Sequence, residues 1–167
     1  MNIEEKIDIS TCSMESLVRH CLHKATDILK DVGDLHPMFI LVTKGGNEMG
    51  LLPIPPWLFD SDKAKDRLVR LMKTDVIPKY NPTRLVFVSE AWQAKAATKE
   101  EALARRPSER EDRKEVVMIV GYEPGKADTH LVAEIIRDWE TNKITGTGDP
   151  DIHIMEKMSG RFVNLLD

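Results

Sequence analysis

The sequence predicts an α+β fold: two helices packed on one face of a mainly antiparallel five-stranded sheet, in the order α-β-β-α-β-β-β. Three observations carry that expectation. Apolar residues at spacings of three and four run from Met14 to Val32, as on one face of a helix. Short β-branched runs come in pairs joined by turn residues, as in hairpins. Two apolar runs, Leu85–Val88 and Val116–Val120, lack alternation, so both of their faces should be covered.

Each element has its own local signals. Ser10, Thr11 and Ser13 offer N-caps to the first helix, and Gly33 stands where a C-terminal glycine belongs. Met38–Thr43 and Met49–Ile54 read as a hairpin around Lys44-Gly45-Gly46-Asn47-Glu48. Pro53 cannot donate to a ladder, which puts the second of these strands at an edge. Asp60 or Ser61 can cap a second helix with Ala64, Leu68, Leu71 and Met72 on its apolar side, and Pro78 should end it. After the two central strands, Pro124-Gly125 makes a turn and Thr129–Trp139 returns as the last strand, in a register the pattern leaves open. Residues 10–140 are expected to form a single domain, with 141–167 a loop and C-terminal arm.

A chain of 167 residues suits one domain. Its formal charge of −4 argues against nucleic acid and against an anionic membrane surface as partners. The apolar runs fall far short of a membrane span. Two cysteines are too few for a disulfide framework, and the acidic start lacks an apolar targeting segment. These features lead us to expect a cytoplasmic protein with reduced thiols.

The candidate site lies where the sheet meets its longest connection. Ser89-Glu90-Ala91-Trp92 ends one central run, and a charged, alanine-rich segment leads to the next. A connection of that length is usually functional or disordered. Regular pleating places Glu90 on the face of Val86, Val88 and Trp92. Burial there would raise its pKa unless a cation or backbone donors hold the charge. Within the connection, Thr98 and Glu101 fit a capping box. Arg110 and Arg113 could clamp a carboxylate or phosphate, or simply pair with neighbouring acids. The basic and acidic residues from Lys99 to Lys114 nearly cancel, so charge does not mark a phosphate-backbone patch.

Other motifs read as structure. Cys12, His20, Cys21 and His23 lack convergent zinc spacing, and the glycine-rich tip lacks the ending of a phosphate loop. His130, His153 and Ser89 are too scattered to suggest a triad. No cofactor is implied.

The run Leu85–Trp92, followed by Arg106-Pro107-Ser108-Glu109-Arg110-Glu111-Asp112-Arg113-Lys114-Glu115-Val116, resembles a set of small bacterial and phage-associated proteins of unknown function. In those proteins a Ser-Glu-Ala-Trp strand end precedes a Pro-Ser-Glu/Asp-Arg segment. Glu111 stands here where they favour a second proline. The resemblance implies that the two segments belong to one local structure, and it carries no chemistry.

Two functions follow as expectations. The first is a non-catalytic binding or adaptor domain, contacting an unknown protein or a small anionic ligand through Ser89, Glu90, Trp92, Arg110 and Arg113. The second is a hydrolase or nuclease-like enzyme with Glu90 as general base and an arginine stabilising anionic charge. The edge near Pro53, or the C-terminal arm, also offers a surface for a homodimer.

Overall fold

The computed structural model describes residues 8–43, 48–93, 100, 111–155 and 165–166. The first helix, α1, spans Met14–Val32. Ser13 caps it, its hydroxyl accepting from the Ser16 N–H at 3.1 Å. Gly33 closes it at φ +82°, donating to the Leu29 carbonyl at 2.8 Å. Leu17, Val18, Cys21, Leu22, Ala25 and Leu29 are its buried stripe.

Strands β1 (Met38–Thr43) and β2 (Glu48–Pro53) form the expected hairpin. A short 3-10 turn, Pro56–Leu58, leads to α2 (Asp62–Leu71), capped by Ser61. The helix does not stop before Pro78. It widens into a π turn at Met72–Val76, where the Ile77 N–H donates to the Met72 carbonyl, and continues as α3 (Ile77–Tyr80). In a regular α-helix the ring of Pro78 would meet the carbonyl of Thr74. The widened turn falls there and lets the chain pass proline without breaking.

Three long strands follow: β3 (Arg84–Gln93), β4 (Lys114–Tyr122) and β5 (Asp128–Arg137). The register left open by the sequence is Val116↔Glu134 through Gly121↔Thr129.

The expected count of five strands is too low. Two more, β6 (Ile144–Thr147) and β7 (Asp151–Met155), both pair antiparallel with β5, and the sheet has seven strands among the described residues. The segment after 141, expected as a loop and arm, is thus partly sheet. Its register steps by one residue between Thr147↔Ile135 and Asp151↔Val132. Between them Gly148 donates to the Glu134 carbonyl at 2.8 Å. In effect β6 and β7 are one long partner of β5, broken at Gly148–Pro150. The strand order is β2-β1-β3-β4-β5-β6, and every described pairing is antiparallel.

The expectation of both helices on one face is overturned: they pack on opposite faces of the sheet. α1 packs on Ile40, Val42, Val86, Val88, Val117, Ile119, Leu131, Ala133 and Ile135. Leu68 of α2 and Met72 of the π turn pack with Phe39, Leu41, Leu85, Phe87, Val120 and Tyr122 on the opposite side. The reason is in β1, β3 and β4, where consecutive residues are apolar and point alternately up and down. One helical layer would leave half of them wet. Each such side chain contributes about 1.5–3 kcal/mol on full burial, so covering both faces wins.

Candidate functional site

Three strand ends and one turn build the site. β3 ends in Glu90-Ala91-Trp92-Gln93, paired to the start of β4 as Glu90↔Val117 and Trp92↔Glu115. Alternation sends Glu90, Trp92 and Glu115 to the α1 face. The chain leaving α1 passes beside them at Asp34 and Leu35, where the Leu35 N–H donates to Glu90 Oε1 at 3.1 Å.

Glu90 is exposed, and its pKa is raised. Partial desolvation is the main cause, followed by the Asp34 carboxylate. The Leu35 N–H opposes the rise, Glu115 adds to it, and Arg137 opposes it weakly. Arg137 is engaged elsewhere: its Nε and Nη2 grip Glu115 at 2.6 and 3.0 Å, and its Nη1 donates to the Asn142 carbonyl at 2.9 Å. That bidentate pair ties β4 to the tip of the β5–β6 hairpin.

Arg113 lies with its guanidinium 4.6 Å from the centre of the Trp92 ring, a cation–π stack. Trp92 nevertheless stays 43% exposed. The sequence-predicted residues Glu90, Trp92 and Arg113 therefore share one region. Ser89 does not join them. It points to the opposite face, is buried, and donates its hydroxyl to the Glu90 carbonyl at 2.8 Å. Arg110 and the Pro107–Glu109 segment lie outside the described residues.

One residue of this surface was missed. Trp139 sits on the β5–β6 turn and is 88% exposed. Asp138 makes that turn, its carboxylate accepting from the N–H groups of Glu140 and Thr141, both at 2.9 Å. Turn-forming residues directly around a tryptophan were the available signal, hidden because Trp139 was counted into a strand. Two indoles thus stand at the same end of the sheet, with the Arg113 stack, the Arg137–Glu115 pair and the Glu90 carboxylate nearby.

The opposite face holds a second polar group. β5 pairs with β7 as His130↔His153, so these two histidines are cross-strand neighbours. Asp128, buried, lies on the same face. His130 Nε2 is buried without a partner among the described residues. Its pKa is lowered, chiefly by burial, with Asp128 pulling the other way. The sequence hid this pairing because β7 was not recognised.

Three clefts are lined by residues other than Glu90, Trp92 and Arg113. One of about 440 Å³ lies between the 3-10 turn and α2, with Trp57, Lys63, Arg67 and Arg70 on its walls. One of about 380 Å³ is bordered by Asp112, Glu134, Asp149 and Asp151 with Lys114. One of about 290 Å³ runs along β2 under Val76 and Tyr80.

No family model, curated protein or solved structure matches this chain.

Proposed function

We propose that this protein is a non-catalytic binding domain that holds a protein partner at the end of the sheet carrying Trp92, Arg113 and Trp139. One observation carries the reading: two tryptophans, 43% and 88% exposed, stand at one end of the sheet, one of them under an arginine. Tryptophan and arginine dominate the binding energy of protein interfaces. The Trp92–Arg113 stack is already formed, so little side-chain freedom is lost on docking. Glu90, Glu115 and Arg137 form a polar rim around it.

The enzyme reading rests on the raised pKa of Glu90, which suits a general base. It is the weaker of the two. Glu90 is exposed, and its carboxylate is engaged by a backbone N–H.

Capture from lysate with wild type, Trp92→Ala, Trp139→Ala and Arg113→Glu, read beside melting temperature, tests the proposal. A discrete partner held by wild type should drop at least tenfold in each variant, with the melting temperature kept within a few degrees. Equal capture by all four proteins would refute it.

A further inference from the structure

We propose that the chain forms a two-fold dimer in which β2 pairs antiparallel with β2 of a second copy, centred on Gly50. The inference starts from the β1–β2 ladder. Ile54 N–H donates to the Pro37 carbonyl at 3.0 Å. In the register Met38↔Pro53 to Thr43↔Glu48, bonding pairs alternate from there. Gly50 and Leu52 therefore turn their N–H and C=O groups inward to β1. Met49 and Leu51 turn theirs outward, where β2 ends the strand order among the described residues. Pro53 falls in the outward set, where its missing N–H costs the β1 ladder nothing.

The side chains agree with the backbone. Met49 and Leu51 are 42% and 68% exposed, on the face of β2 that continues from Ile40 and Val42. An outer strand with two outward-facing peptide pairs and two exposed apolar side chains is a template for another strand.

A second copy fits it best, because an antiparallel edge is its own complement under a two-fold axis. Centring on Gly50 sets Met49 against the partner's Leu51, and Leu51 against the partner's Met49. All four outward N–H groups of these residues then find carbonyls. On the other face the two Gly50 residues meet with no side chains to collide. The only charge on the strand, Glu48, falls opposite the partner's Leu52. The two Glu48 residues are then about 14 Å apart along the strands. That exceeds the screening length of about 8 Å at physiological salt.

Light scattering and amide exchange on the full chain test this. Wild type should show twice the 19.0 kDa chain mass at high concentration. The amides of Met49 and Leu51 should then be protected, losing at least tenfold of that protection on dilution, while those of Gly50 and Leu52 stay protected throughout. Leu51→Lys and Met49→Lys should each be monomeric and melt where wild type melts once diluted to monomer, since both sites are exposed. A wild-type mass of 19.0 kDa at all concentrations would overturn the dimer. So would open-chain exchange at Met49 and Leu51 in a dimeric sample, or a dimer that survives both lysine variants. Protection of these amides in a monomer only when another protein is added would assign the edge to a foreign strand and also defeat the proposal.

Discussion

Glu90 sits among opposing influences: loss of water and the Asp34 carboxylate push its pKa up, while the Leu35 N–H pulls it down. The net is a rise above the ordinary value of 4.5, so the folded protein disfavours the ionised form. Its contribution to stability is full below 4.5 and is lost as pH rises through the raised folded value. Glu90→Gln removes the charge and keeps an oxygen for Leu35. That variant should melt at or slightly above wild type at pH 7, by no more than about 2 °C because solvent screens an exposed group. Below pH 4.5 the two should coincide. Calorimetry at pH 4 and pH 7 reads this directly, and a fall of several degrees at pH 7 would mean that the charge itself anchors Leu35. At this scale the sequence was partly legible. Pleating puts Glu90 and Trp92 on one face, and it turns Ser89, expected among the contacting residues, to the other. It could not show that Glu90 would meet Leu35, because that contact joins the exit of a helix to a strand distant in the chain.

Helix α1 rests on β4 at Gly121. A Cβ there would press on Met14 and lie 3.1 Å from Val18 Cγ1. Met14 is long and can yield, so Gly121→Ala should cost about 1 kcal/mol. Gly121→Val drives a branched side chain at Val18 and should cost roughly 2–3 kcal/mol. Urea unfolding should show the midpoint falling with the slope unchanged. A valine variant as stable as wild type would mean that α1 is not seated there. Among elements, those with caps or strong periodicity were the readable ones: Ser13, Gly33 and Ser61 mark their helices where expected. The passage through Pro78 was not, since the rule that proline stops a helix assumes regular α geometry. β6 and β7 also escaped notice. They are short, have no fully buried residue and are separated by Gly148-Asp149-Pro150, so the brief alternation of Asp151-Ile152-His153-Ile154 is the one local mark they carry.

The whole molecule is a sheet sheathed on both sides, and the unalternating runs of β3 and β4 already required that. The expectation of one helical layer ignored its own premise that both faces were apolar. Arg84, at the start of β3, then ties the N-terminal segment to the sheet. It is 7% exposed, donates to the Cys12 and Ile9 carbonyls at 2.9 and 2.7 Å, and lies 3.6 Å from Glu123. Arg84→Ala would leave the Cys12 and Ile9 carbonyls without their donor and Glu123 with Lys126, 2.8 Å away, as its cation. We expect a loss of about 2–3 kcal/mol from the orphaned carbonyls, together with faster amide exchange at Thr11 and Cys12, whose N–H groups bond to Asp8. Unfolding that shifts by less than 1 kcal/mol, with exchange unchanged, would show the segment to be held by other contacts.

The break at Gly148–Pro150 matters beyond local geometry. Opposite β2, the sheet finishes not in one uninterrupted strand but in pieces of four and five residues with a kink between them. In the dimer proposed above, two copies use up each other's β2 edge and leave only these interrupted margins outside. Such a geometry ends in a closed pair instead of a filament.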